Sequence, residues 1–167
     1  MEIDESIFGK RKYNRGKRVK GKWILGGVER GTLNYFLVEC PHNHRDHHTL
    51  VLLIKQHVRP GTIIITDGWK GYIHLGDHGY HHEDVNHSQN FVNPHTGAHT
   101  NTIEVSWGHI KKHCARGVGW LRSDEDSMAI ALSEYMWLRK HDIRQDDVSC
   151  RKYFCKELPL LLKRAFA

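Results

Sequence analysis

The run Thr62-Ile63-Ile64-Ile65-Thr66 constrains this chain more than any other stretch. Its residues are all β-branched, stiff at χ1 and poor helix formers, and the run is too short for a buried helix. A strand without polar alternation is apolar on both faces, the pattern of a parallel strand covered on both sides. The chain therefore needs helices for both faces of a sheet, and the sequence supplies them. Asp46 reads as an N-cap before Leu50, Leu53, Ile54, His57 and Val58 at helical spacing, and Pro60-Gly61 stops that helix. Ile103, Trp107, Ile110 and Cys114 mark one apolar face of a second helix, ended by Gly117 and Gly119. A third starts at Ser123, with Asp124, Glu125 and Asp126 at its positive end and Arg139 and Lys140 at its negative end.

Further strands are expected at Glu2–Phe8, at Trp23–Val28 with Gly26-Gly27 allowing close packing, at Leu33–Val38 and at His82–Val85. Gly31-Thr32 suits the hairpin turn between the second and third. A short helix is expected over Gly68–Leu75 and a loop over Asn86–Thr100. Three strands, helix, strand, short helix, strand and two helices is the element order of an α/β, ribonuclease H-like fold: a mixed five-stranded sheet flanked by helices. A plain α+β domain of another topology is the alternative. The fold is expected to span residues 1–141, with 142–167 a tail of unassigned structure.

A chain of 167 residues buries roughly 70% of its unfolded surface and needs no disulfide or metal to hold a core. The four cysteines form no CxxC pair, and no apolar run approaches the ~18 residues of a membrane span, so no membrane partner is expected. Net charge is +6, yet the stretch from Gly9 to Lys22 alone holds eight cations and no acid, leaving the rest at −2. Within it, Lys10, Arg11, Lys12, Arg15, Lys17 and Arg18 are candidates for a phosphate backbone, since Lys and Arg release counterions on neutralising phosphates; a solvated loop is the plainer reading. Cys40, His42, His44, His47 and His48 are dense enough to suggest zinc, although such clusters are usually polar surface.

Three acids fall where this element order would converge them. Asp4 is mid-strand in the first strand, where an unpaired carboxylate is costly unless it binds a cation. Asp67 ends the apolar strand, where α/β folds place ligands. Glu104 begins the second long helix. Carboxylates from two strands and a helix can hold two Mg²⁺ or Mn²⁺ ions about 3.5–4 Å apart for phosphoryl transfer. Each acid also has an ordinary role: Asp4 on a solvated edge, Asp67 in an Asp-Gly turn, Glu104 in an Asn101-x-x-Glu cap.

The chain resembles the DDE transposases of ISXO-type insertion sequences and their eukaryotic Merlin relatives. The resemblance rests on Glu2-Ile3-Asp4-Glu5 with Phe8-Gly9-Lys10-Arg11-Lys12, Gly26-Gly27-Val28-Glu29-Arg30, Thr66-Asp67-Gly68-Trp69 with Tyr72, Val85-Asn86-His87-Ser88, Phe91-Val92, and Gly97-Ala98-His99-Thr100-Asn101-Thr102-Ile103-Glu104 with Trp107. It covers roughly Glu2 to Lys140.

The resemblance implies a catalytic domain in which Asp4, Asp67 and Glu104 are catalytic residues and hold two Mg²⁺ (or Mn²⁺). Asn101 is the substitute third ligand, because some relatives carry Asn there. The implied reactions are cleavage at the element ends and attack of the freed 3′-OH on target DNA, within a homo-oligomer. Lys111, Lys112 and Arg116 are then phosphate contacts, and His87 and His99 either orient water or phosphate or simply shape the loop. Localisation would be nuclear in a eukaryote and cytoplasmic in a bacterium. Family members usually carry an N-terminal zinc-ribbon or helix-turn-helix segment, and here the first strand begins at Met1. The alternative reading is therefore a truncated or host-retained remnant that binds DNA without catalysis; a histidine zinc hydrolase using His42, His44 and His47, and a ribonuclease or resolvase of the same fold, are further rivals.

Overall fold

The computed structural model describes residues 1–9, 21–32, 34–85, 97–117, 125–143 and Phe154. The elements are β1 (Glu2–Phe8), β2 (Lys22–Val28), β3 (Tyr35–Glu39), α1 (His47–His57), β4 (Ile63–Asp67), β5 (His81–Val85), α2 (Asn101–Gly117) and α3 (Glu125–Lys140). They form one five-stranded sheet in the order β3-β2-β1-β4-β5. β1 is antiparallel to β2 and parallel to β4, so the antiparallel hairpin half and the parallel half meet along it.

The sheet is covered on both faces, as the β-branched run requires. Ile64 joins a core with Ile3, Leu25, Leu50, Ile54, Tyr72 and Leu75 on the α1 side. Its neighbour Ile65 packs with Val85 and Ala98. On the α2 and α3 side the core holds Phe8, Ile24, Leu37, Ile103, Trp107, Ile110 and Tyr135. Burying each such side chain contributes about 1.5–3 kcal/mol. The run is not buried throughout, however: Ile63, at its start, is 53% exposed.

Local chemistry explains the boundaries. The Asp46 side chain accepts from Thr49 N at 3.1 Å, the N-cap expected for α1. The glycine pair of β2 lets bulky rings lie on both faces. A Cβ at Gly26 would sit 2.5 Å from Trp107 Cη2, and one at Gly27 2.1 Å from Phe36 Cε1. The short helix expected over Gly68–Leu75 is instead two 3-10 turns, Lys70–Tyr72 and Gly76–His78, the second closed by Gly79 at φ 84°. Glycines at 68, 71 and 76 deprive that segment of helix formers.

Lys10, Arg11, Lys12, Arg15, Lys17, Arg18, His87, Ser123 and residues 144–167 apart from Phe154 lie outside the described residues. Phe154 is buried, with its ring centroid 5.8 Å from that of Trp137 in α3. Among the described residues no helix is long and apolar enough to cross a membrane.

Candidate active site

β1 alternates between the two cores. Ile3 and Glu5 face α1; Glu2, Asp4 and Phe8 face α2. The register sets Glu2 opposite Ile65 on the parallel β4. Two residues further along their strands, Asp4 and Asp67 share the parity of that pair, and Asp4 lies within reach of the Asp67 charge. Their proximity shows in the Asp4 carboxyl, which is pushed up to about 7, first by burial and then by the charges of Glu5 and Asp67, against the pull of Trp107. Trp107 Nε1 donates to Asp4 Oδ2 at 2.8 Å. The indole reaches it because Asp4 pairs across β1–β2 with Gly26, the residue without a side chain.

Asp67 ends β4, and its Oδ1 accepts from Trp69 N at 3.0 Å. The Asp-Gly turn reading is therefore satisfied. The bond holds the carboxylate at the strand's end.

Glu104 sits in the first turn of α2 and is exposed. Its Oε1 accepts from Thr100 Oγ1 at 2.7 Å. Ser106, on one flank of α2, bonds Tyr35 of β3 at 2.8 Å. Trp107, toward the other flank, reaches Asp4 of β1. The helix places Lys111 about 20° around the axis from Glu104, Lys112 about 80° and Arg116 about 120°. Lys111 thus shares the Glu104 stripe. Burial lowers its amine and Asp4 pulls it the other way, placing it within reach of the Asp4 charge. Lys112 is exposed off that stripe, and the Arg116 side chain lies outside the described residues.

The Asn101-x-x-Glu104 cap is not made, a correction to the sequence expectation. Asn101 is exposed at the first position of α2. The helix amides go to Glu2 on β1, a residue whose role the sequence did not disclose. Glu2 is wholly buried; its Oε2 accepts from Thr102 N at 2.8 Å and Ile103 N at 3.0 Å. Its Oε1 accepts from Thr102 Oγ1 at 2.8 Å and Arg30 Nε at 2.7 Å. Arg30 Nη2 also donates to the His99 carbonyl at 2.6 Å, and His99 Nδ1 lies 3.4 Å from Glu2 Oε1. His99 therefore braces the helix entry. A carboxylate at a helix N-terminus meets the positive end of the dipole. The one signal available was position: Glu2 shares the strand face of Asp4.

The histidine-rich stretch does not converge. Cys40 is buried, with its thiol pushed up to about 11 by burial, while His42 and His44 are exposed. His47 turns away to the Gly71 carbonyl at 3.0 Å. Among the described residues no group of three or more His, Cys, Asp or Glu side chains is set to hold a metal ion. That includes Asp4, Asp67 and Glu104: Asp4 lies within reach of the Asp67 charge, and Glu104 stands in the first turn of α2 with its bond to Thr100. As a donor set they suit a hard divalent cation, since all are carboxylate oxygens.

Comparison with known proteins bears on the same region. The family model of the ISXO2-like transposase domain matches residues 1–118. An "Uncharacterized transposase-like protein" of Haemophilus influenzae is 27% identical over 108 residues, 65% of this chain and 84% of that protein. The catalytic core domain of BIV integrase is similar at TM-score 0.55 and 14% identity, over 80% of each chain. A chain of the simian T-cell lymphotropic virus intasome in complex with PP2A regulatory subunit B56 gamma is similar at TM-score 0.55 and 17% identity, over 82% of this chain and 46% of that one. These two structures show the fold: the ribonuclease H-like architecture of integrase catalytic cores, as the element order implied.

Proposed function

The chain belongs to the ISXO2-like transposase domain family, and from that premise we propose that it cleaves DNA strands and joins the freed 3′-OH to target DNA in a divalent-metal-dependent reaction. The observation that carries the proposal is the half-buried Asp4 within reach of the Asp67 charge, with its carboxyl raised to about 7. Asp4, Asp67 and Glu104 would hold two Mg²⁺ or Mn²⁺, with Asn101 the substitute for the third. When bound, such ions activate the attacking oxygen and stabilise the leaving oxygen of an in-line displacement at phosphorus.

The chain's own residues supply position and charge. Trp107 orients the Asp4 carboxylate, the Trp69 amide orients Asp67, and Glu2 fixes the N-terminus of the helix bearing Glu104. Lys111, on the Glu104 stripe, is the phosphate contact closest to the acids, with Lys112 and Arg116 further round the helix. DNA at the element ends and the target would be held by Lys10, Arg11, Lys12, Arg15, Lys17 and Arg18, in a homo-oligomer.

The test is nicking of duplex DNA in Mg²⁺ or Mn²⁺ by the wild type and by Asp67→Ala. Activity in the first and its loss in the second supports the proposal. If both are inert while both bind DNA, the chain is a DNA-binding remnant. Neutralising the six cations of the basic stretch is expected to lower the slope of log affinity against log salt by up to about 5; an unchanged slope would show that the stretch is only solvated surface.

A further inference from the structure

Beside Asp67, on the side of the sheet away from α2, a guanidinium lies between two indoles. Arg45 Cζ is 4.2 Å from the Trp23 ring centroid and 4.4 Å from that of Trp69. Arg45 Nη1 donates to Glu5 Oε1 at 3.0 Å, and the Tyr72 hydroxyl donates to the other oxygen of that buried carboxylate. The stack is therefore anchored from β1 and not held by the two rings alone. Trp69 is fixed twice more. Its amide is bonded to Asp67, and its Nε1 lies so close to Gly71 that a Cβ there would approach within 2.7 Å.

For all that anchoring, Trp69 is 38% exposed, whereas Trp107 on the opposite face is only 6% exposed. Arg45 covers one face of the Trp69 ring, so the open area lies elsewhere on it. A large, rigid, cation-backed aromatic held open to solvent two residues from an acid is poorly explained as core. Its shape and chemistry match a nucleobase π-face, for which aromatic stacking contributes about 1–3 kcal/mol per base.

We propose that Trp69, backed by Arg45 and Trp23, is a stacking platform for an unpaired base of the DNA strand held at Asp67. The inference rests on the transposase reading and adds to it a binding subsite and a preference for locally unpaired DNA. No base-edge contact is involved, so the subsite tolerates any base.

The experiment measures affinity of the full chain for three probes: a blunt duplex, the same duplex with a short thymidine overhang, and the same overhang made abasic. The wild type is expected to prefer the thymidine overhang to the abasic one about tenfold. Trp69→Phe should keep most of that preference, and Trp69→Leu, which fills the space without a π-face, should lose it. Blunt-duplex affinity should be alike in all three proteins. A wild type without the preference, or a Trp69→Leu variant that retains it, overturns the platform. The wild-type comparison needs no variant, so a misfolded Trp69→Leu protein leaves the test intact. If the wild type binds and nicks blunt DNA yet ignores the overhang base, the platform alone fails. If it binds no duplex at all, the transposase reading fails and the platform with it.

Discussion

Glu2 and Asp4 are two residues apart on one strand and face the same helix, yet they are held in opposite ways. Glu2 accepts four hydrogen bonds, from two helix amides, a hydroxyl and a guanidinium. Asp4 has the Trp107 indole as its side-chain donor and acidic neighbours in Glu5 and Asp67. The difference separates a carboxylate tied into the scaffold from one held among acids in partial burial. The first gives up its charge to neutralise a helix terminus. The second has its charged form disfavoured where it sits, at a cost to the fold once it ionises.

The comparison breaks most visibly at Glu2. Truncation by Glu2→Ala leaves the Thr102 and Ile103 amides and Arg30 without their buried acceptor. Loss of one partner from a buried ionic cluster typically costs about 3–5 kcal/mol, and urea denaturation should show a loss of that size. Glu2→Gln keeps the shape and one acceptor oxygen and should lose less. If Glu2→Ala unfolds like the wild type, the clasp is not a scaffold and the contrast with Asp4 disappears.

At Asp4 the sign reverses. In metal-free protein its carboxyl titrates near 7, against an ordinary value of 3.8. Between those values the folded state binds more protons than the unfolded state, so stability falls as pH rises through that window and levels off above it. Asp4→Asn removes the ionisation and retains an acceptor for Trp107. In chelator it should match the wild type near pH 4 and exceed it at pH 8 by on the order of 2–4 kcal/mol. Added Mg²⁺ should stabilise the wild type and not the variant. Denaturation curves at several pH values check both, and an Asp4→Asn protein less stable than wild type at pH 8 would mean that Asp4 is structural like Glu2.

Much of this was legible before the fold was known. The unalternated β-branched run demanded cover on both faces, and the N-cap and apolar spacings named the helices that provide it. Asp4 and Asp67 were legible for the same reason: an acid in or at the end of a core strand stands out against its neighbours. Glu104 was placed on the right helix, but its bond to Thr100 depends on a side-chain choice that spacing does not encode. The Glu2 clasp and the Arg45 stack were not legible, because their partners lie 28 to 101 and 22 to 40 residues away in sequence. Tertiary contacts of that range leave no local periodicity to read.

The finest test of the contrast uses the glycines opposite the strand. Gly26 pairs with Asp4 and Gly27 with Ile3, so the two point to opposite faces. A methyl at Gly26 meets Trp107 Cη2 at 2.5 Å and Leu37 Cδ2 at 3.0 Å; one at Gly27 meets the Phe36 ring. Either Gly→Ala change overpacks a core and should cost about 1–3 kcal/mol. Only Gly26→Ala also displaces the indole that donates to Asp4. Loss of that donor favours the neutral acid, so the pH window in which metal-free stability falls should move upward in Gly26→Ala and stay in place in Gly27→Ala. Equal shifts in both would show that burial alone sets the titration of Asp4, and that Trp107 packs over the acid without tuning it.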